Sequence, residues 1–485
     1  MNASATHTTS RLSIAPSTIS SFDRFVLLVI LVLAAAVGLA VLRGDQIGVR
    51  LARYGPTGEA RASTAVTVRF SEEMDRASAA SRFRIEPAVP GDISWSGPTL
   101  TFRPSEAMEP GRSYTVTVDS GARSESGRQL IESQQFAFTV QGPRVAYLAP
   151  VDSPRKNVWA VNPTEGSAPQ QLTHSSRGVI SYDVSPDGSR LAYAEVNEAK
   201  GSDLKLLDLD TGDVRQLTTC GNSLCIDPVW SPDSTQIAFS RQGFSVSPIP
   251  GVPRDDTRVW LLDPTTSPAS ARALFTDPQV RAHYNPRWSP DGTWIAVSQP
   301  TGVSNGSAGV LLYNFQSAAT EFHSTTGPAG AFSADSAYFF FPALSASEGD
   351  VRPVVQQARL GTPEVSTVSE PGVRMTPVQI DRATLGSDLI VAQRAPSAEA
   401  GIGQQLYRME LATGALQPLL VESNYDHQAF AWDTEARYLV MERSLVRATD
   451  ASQAPEVQSQ IWLYDTATGD IARLAPSALR PRWLP

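Results

Sequence analysis

The 485-residue sequence predicts an all-β fold: a small β-sandwich followed by a long array of repeated four-stranded sheets, with a single apolar helix ahead of both. Three observations predict it. Short apolar segments alternate at period two with Gly and Pro between them, a Ser-Pro-Asp-Gly-like segment recurs through the C-terminal two thirds, and an independent ladder of apolar pairs recurs at the same interval. With 18% charged residues, 33 Gly and 36 Pro, the chain is neither collagen-like nor a charged disordered polymer. Two Cys exclude a disulfide framework and a Cys-built zinc or iron–sulfur site, and five scattered His leave little for a His-rich one. No cofactor and no metal is expected. A net charge of −9 without a Lys/Arg block argues against nucleic acid as a partner.

Taken in order, the chain opens on a Ser/Thr-rich segment, residues 1–24, expected to be a disordered cytoplasmic tail. Phe25 to Leu42 is uncharged, and its 18 residues meet the lower limit for crossing about 30 Å of hydrocarbon, so it reads as one transmembrane helix. A signal peptide cleaved after Ala40 is the rival reading. Arg11 and Arg24 before the span and Arg43, Arg50 and Arg53 after it leave orientation to the large domains, and residues 43–61 are expected to be a linker.

From 62 to 141 the runs Ala65 to Phe70, Thr99 to Phe102, Tyr114 to Val118 and Phe136 to Val140 alternate as the strands of a β-sandwich do. The segments Phe70-Ser-Glu-Glu-Met-Asp75, Trp95 and Glu109-Pro-Gly-Arg-Ser-Tyr-Thr-Val-Thr-Val118 resemble bacterial Ig-like domains of surface proteins. That resemblance implies a spacer or adhesion module. The acidic residues at 71–75 are a cation candidate, but a solvated turn explains them more simply.

The repeats fill 144–485. Val184-Ser-Pro-Asp-Gly188, Trp230-Ser-Pro-Asp-Ser234, Trp288-Ser-Pro-Asp-Gly292 and Phe332-Ser-Ala-Asp-Ser336 each precede an apolar strand. Trp432 to Ala436, Ile380-Asp381 and Trp483-Leu-Pro485 are worn or truncated copies, which makes seven. The second ladder runs Val158-Trp159, Leu204-Lys205, Val259-Trp260, Val310-Leu311, Val354-Val355, Leu406-Tyr407 and Ile461-Trp462, at a mean spacing of about 50 residues, the length of a four-stranded propeller blade. In the Ser-Pro-Asp-Gly segment Pro fixes φ, Asp accepts local backbone bonds and Gly permits a left-handed exit. Trp230, Trp288, Trp432 and Trp483 share one register and are read as packing between blades. Pro286-Arg-Trp-Ser-Pro-Asp-Gly292 and Pro228-Val-Trp-Ser-Pro-Asp233 resemble the repeat of the TolB-type, WD40-like propeller superfamily. Arg144-Val-Ala-Tyr147 lacks an inner strand before it and Arg480-Pro-Arg-Trp483 lacks partners after it, so the two ends are expected to complete one blade and close a seven-bladed β-propeller.

Long connections between second and third strands, at 195–202, 242–257, 299–309, 342–352, 393–404 and 443–458, elaborate one face of such a ring. Residues just before the inner strands are expected to ring the channel mouth on that face: Tyr182, Asp227, His283, Tyr284, Asn285, Tyr425, Asp426, His427 and Arg480. Cys220 and Cys225, in one of the entering loops, are expected to form a disulfide, which fits an extracytoplasmic location. Gly302-Val-Ser-Asn-Gly306 matches a nucleophile elbow, but Ser304 lacks the strand–turn–helix context. Asp255-Asp256 lies in an irregular loop and Ser289 to Trp294 belongs to a repeat turn, so no catalytic residue is assigned. The reading is a bacterial, membrane-anchored, extracytoplasmic binding or scaffold protein presenting its loop face to a protein, a peptide or a cell-wall glycan. A propeller hydrolase or lyase using carboxylates at the channel mouth is the alternative.

Overall fold

The computed structural model describes residues 20–42, 48–106, 108–163, 168–243, 257–266, 269–276, 283–299, 308–326, 330–347, 350–372, 375–378, 389–394, 403–422, 424–433, 437–445 and 459–485. Ser21–Leu42 is a helix of 22 residues. The membrane-spanning helix expected over 25–42 is not shown: side chains are described only as far as Ala35, and among the described residues no helix is long and apolar enough to cross a membrane. The part that is described exposes its large side chains, Phe22, Phe25, Leu28 and Leu31 among them.

Two four-stranded sheets follow. One has the order Leu51–Gly55, Val66–Phe70, Thr99–Pro104, Gly91–Ser96, and the other Gly58–Ala60, Gln134–Val140, Ser113–Val118, Phe83–Glu86. Alternation does what the sequence requires of it, because Val66, Val68 and Phe70 turn inward onto Phe138, Leu100 and Met108 in one core while Thr67 and Arg69 face out. The boundary is a correction. Leu51–Gly55 and Gly58–Ala60, expected within the linker 43–61, are strands of the sandwich: Leu51–Gly55 pairs with Val66–Phe70, and Tyr54 stacks on Phe136 at 4.7 Å. An outer strand with little alternation carries no period-two signal. At the acidic turn Asp75 caps the short helix Arg76–Ala80 by accepting from the Ser78 N–H at 3.0 Å, and Glu72 accepts from the Ser126 hydroxyl.

Beyond residue 143 the strands fall into antiparallel sets of four. The first comprises Arg144–Ala149, Asn157–Val161 and Gln170–Gln171, with Leu479–Leu484 from the far end of the chain; the second Val179–Val184, Arg190–Val196, Ser202–Asp208 and Val214–Gln216. The third comprises Leu224–Trp230, Ile237–Gln242, Arg258–Leu262 and Ala271–Ala273; the fourth Tyr284–Trp288, Trp294–Gln299, Gly309–Asn314 and Thr320–Ser324. The fifth comprises Ala331–Phe332, Tyr338–Ser347, Asp350–Arg359 and Val365–Thr367; the sixth Met375–Pro377, Leu389–Arg394, Gln405–Glu410 and Leu416–Leu420; the last Tyr425–Trp432, Tyr438–Leu445, Ser459–Asp465 and Ile471–Ala475. Among the described residues only one strand pairing, Ser202 with Leu224, links the second set to the third. No sheet closes on itself among the described residues; the sets are joined mainly by side chains.

Those joints run in sequence. Leu148 packs with Leu191, Leu204 with Trp230 and Ile237, Leu261 with Trp288 and Ile295, and Leu312 with Phe339 and Phe341. Val355 then packs with Met375, Leu406 with Trp432 and Met441, and Val440 and Ile461 with Val145 and Tyr147, which returns the apolar contacts to the first set. This is propeller-like architecture. Two members of the shared Trp register make the same bond: the Trp288 Nε1–H donates to the Val229 carbonyl at 3.3 Å and the Trp483 Nε1–H to that of Ala431 at 3.1 Å, whereas the buried Nε1 atoms of Trp230 and Trp432 meet no acceptor among the described residues. In both cases the acceptor immediately precedes the Trp of the preceding repeat.

The turns are built alike. Ser185 Oγ donates to Asp187 Oδ1 and accepts from the Arg190 N–H, and Ser231–Asp233, Ser289–Asp291 and Ser333–Asp335 repeat the first bond at 2.5 to 2.6 Å. Burial pushes the Asp187, Asp233 and Asp291 carboxyls up, and the hydrogen bonds to them outweigh it and leave each below its ordinary value. The fourth position is left-handed whether it holds Gly188, Ser234, Gly292 or Ser336. Where it is Ser, the hydroxyl accepts from the Asp N–H of the preceding repeat: Asp187 to Ser234 and Asp291 to Ser336.

The expected 342–352 connection is instead mostly strand. Tyr338–Ser347 and Asp350–Arg359 pair along their whole length, with Leu344 and Val351 exposed. The worn copy Ile380-Asp381, the Ser304 elbow and Asp255-Asp256 lie outside the described residues.

The sandwich docks on the face that carries these turns. Arg61, almost fully buried, holds Asp210 at 2.5 Å, and the Ser63 hydroxyl donates to the Asp187 carbonyl at 2.5 Å. Gly188 is required here: a Cβ on it would lie 2.7 Å from the Pro485 carbonyl and 3.3 Å from Arg61 Cδ.

Candidate functional site

On the opposite face, β-bulges interrupt the inner strands of the third, fourth and last sets and the C-terminal strand of the first. At each bulge sits a non-glycine residue in the left-handed region: Asp227 (φ 50°), Asn285 (φ 55°), Ala429 (φ 49°) and Arg480 (φ 53°). Such a backbone costs about 1–3 kcal/mol and persists only where its surroundings hold it. Here the Asp227 N–H donates to Ser181 Oγ at 2.8 Å, that of Asn285 to Ser240 Oγ at 3.4 Å and that of Arg480 to Glu442 Oε2 at 3.2 Å.

The bulges re-aim side chains, which is their usual effect. Arg480 Nη1 reaches Asp227 Oδ1 at 2.7 Å although they stand on the first and third sets, and the Tyr182 hydroxyl, on the set between, donates to the Arg480 carbonyl at 2.7 Å. Tyr182, Asp227 and Arg480 thus form one cluster. Asp227 and Arg480 are partly exposed, whereas burial pushes the Tyr182 hydroxyl far above its ordinary value and keeps it a donor. Beside them Arg482 Nε lies 3.4 Å from Asp183 Oδ1, and Asp183 Oδ2 accepts from the Trp230 N–H.

Tyr425, Asp426 and His427 belong to a second cluster. Asp426 accepts from the Gln404 N–H at 2.7 Å and from Gln428 Nε2 at 2.6 Å. The buried His427 ring meets the Gln404 carbonyl through Nδ1 at 2.9 Å and Glu422 through Nε2 at 3.3 Å. Arg443, also buried, holds Glu422 at 2.6 Å and stacks over Tyr425 at 3.5 Å and Trp462 at 4.5 Å. Burial is the main influence on His427 and lowers its pKa. Glu422, Arg443, Glu442 and Ser181 are not singled out by the sequence, because an Arg or Glu on a second strand, a Glu at a loop edge or a Ser within an inner strand looks like any other polar residue.

His283 does not line the mouth. Its ring is fully buried with its edge against Phe275 at 5.0 Å, and Nδ1 accepts from the Val259 N–H at 2.9 Å, so Nδ1 carries no proton. Burial first, and Arg258 second, lower its pKa from 6.5 to about 4. The unfolded chain therefore takes up a proton near pH 6.5 that the folded one refuses until about pH 4. Stability is complete above pH 6.5 and falls as the pH drops through that window, by up to about 3 kcal/mol. Urea midpoints at pH 7 and pH 4.5 are expected to differ, and His283→Gln, which keeps an acceptor for Val259, is expected to remove most of the difference; an unaltered pH slope in that variant would contradict the assignment. Neighbouring Tyr284 is half-buried and Asn285 exposed.

Cys220 and Cys225 are joined by a disulfide that staples the loop between the second and third sets. Among the described residues no group of three or more His, Cys, Asp or Glu stands where it could hold a metal ion.

The two-sheet sandwich falls within residues 45–140, which match the family described as bacterial Ig-like domain. The C-terminal array is propeller-like. At scores too low to bear on function, the chain is similar to TolB from Acinetobacter baumannii (14% identity, 83% of this chain and 83% of that one, TM-score 0.41). It is similar on the same terms to the β-propeller domain of the Trilobed protease from Pyrococcus furiosus (14%, 69% and 95%, TM-score 0.47) and to oligogalacturonate lyase from Vibrio parahaemolyticus (13%, 62% and 87%, TM-score 0.45). No curated protein matches the chain.

Proposed function

We propose that the chain is a membrane-anchored, extracytoplasmic binding or scaffold protein whose seven-bladed propeller, closed by its C-terminal strand, presents the loop face to a protein, a peptide or a cell-wall glycan. The observation that carries this reading is the docking of the Ig-like domain on the turn face through Arg61–Asp210 and Ser63–Asp187. It leaves the opposite face, with Asp227, Arg480 and the exposed Asn285, free to meet a partner. The exposed apolar side chains between Phe22 and Leu33 of the helix Ser21–Leu42 support attachment to a membrane at the N-terminal end.

Protease added to intact cells is expected to digest residues 144–485. A panel of peptides and cell-wall fragments is expected to include members bound without turnover, with affinity falling about tenfold in the Asp227→Ala, Arg480→Ala double variant, the usual loss when a charged anchor is removed. Protection from the protease would remove the extracytoplasmic placement, and turnover of any panel member would replace the binding reading with a catalytic one.

A further inference from the structure

A groove of about 580 Å3 opens between the second and third sets, beside the loop that the disulfide staples. Its size falls within the roughly 300–1,000 Å3 of small-molecule sites. Leu217, Cys220 and Phe239 form an apolar floor, Trp260 a wall, and Thr219 with Arg241 the polar lining. Among the described residues no Asp or Glu lines it, in a chain whose net charge is −9.

The charge arrangement is unusual for a sheet. Arg241 and Arg258 are direct cross-strand partners, as are Phe239 and Trp260 next to them, so all four side chains rise from one sheet face. Like charges placed directly opposite destabilise a ladder. Nothing described relieves this pair: no ion pair or hydrogen bond joins either guanidinium to another described residue, and the Arg241 guanidinium lies 5.2 Å over the Trp260 ring. Arg215, the other cation in the lining, is already engaged by the Pro264 and Thr266 carbonyls and so shapes the groove without offering its charge. Two fork-shaped donors without a partner among the described residues, one of them above an aromatic plane, suit an oxyanion attached to a ring.

We propose that this groove binds a small organic anion, its carboxylate or phosphate held by Arg241, with Arg258 beside it on the same sheet face at the margin of the groove, and its ring laid against Trp260. The site is separate from the loop-face cluster and stands or falls independently of the proposed function.

Calorimetric titration of the full chain with 4-hydroxybenzoate, glucuronate and inorganic phosphate tests it and separates the aromatic, sugar and ring-free sources of the oxyanion. At least one of the two ring-bearing anions is expected to bind, and 4-hydroxybenzamide, with the charge removed, about tenfold more weakly or not at all. Arg241→Gln is expected to weaken the bound anion about tenfold with an unchanged melting temperature, and Arg258→Gln is the second variant should the first fail to fold. Trp260→Leu is expected to weaken the ring-bearing anion while leaving any phosphate binding as it was. The proposal is overturned by binding of none of these anions, by binding of phosphate alone, by equal binding of the amide, or by undiminished affinity in the arginine variants.

Discussion

Deletion of residues 479–485 is expected to destroy cooperative folding of the whole C-terminal array, although it removes only seven residues at the end of the chain. The segment supplies the fourth strand of the first set, pairing Leu479 with Leu148, Arg482 with Ala146, Trp483 with Val145 and Leu484 with Arg144. Its side chains serve two joints at once: Leu484, 1% exposed, packs with Leu148 and Leu191, while Trp483 packs with Val145, Val440 and Ile461. Each such side chain contributes about 1.5–3 kcal/mol by burial, and the loss uncovers the edge of Arg144–Ala149 as well. Against a total stability of about 5–15 kcal/mol, that is enough to leave the array largely unfolded or to lower its melting temperature by about 10 °C or more. The arrangement resembles a clasp between chain ends more than a terminal ornament, since the same strand carries Arg480 to Asp227 across the intervening set. A melting temperature that stays within a degree or two of the full chain's would show that the first and last sets hold together without it.

The repeat was legible because its turn is self-sufficient. Ser185, Asp187 and Gly188 hold one another through bonds within six residues, so the segment keeps its spelling wherever a tight exit is needed. Legibility fails where the structure depends on a distant partner. Leu51–Gly55 is a strand only because Val66–Phe70 pairs with it, and Asp350–Arg359 continues a hairpin that polar and small residues conceal. The site shows the same division. The positions ahead of the inner strands could be named from the repeat, but the meeting of Tyr182, Asp227 and Arg480 follows from left-handed bulges whose cause lies on other strands, at Ser181 and Glu442. Histidine misleads in the other direction. His283 and His427 stand beside polar residues, which suggests solvent, yet both rings are buried and bonded to backbone groups, as often happens when an imidazole fills a joint between sheets.

The Trp register is open to a direct test, because packing and ligand stacking make opposite demands on the same ring. Trp288 is 7% exposed, stacked on Phe315 with ring centroids 5.0 Å apart, and packed against Ile295, Val297 and Leu261. Trp288→Ala is therefore expected to cost about 3–5 kcal/mol, because the neighbouring sets cannot collapse into the space left by an indole without breaking their own ladders. Trp288→Phe keeps most of the apolar contact but strands the Val229 carbonyl that Nε1 now satisfies, and a loss of about 1–2 kcal/mol is expected. Urea titrations followed by circular dichroism distinguish these values. A cost below about 1 kcal/mol for the alanine variant would mean the ring is not holding two sheets together, and the shared register of Trp230, Trp288 and Trp432 would then need a reason outside the fold.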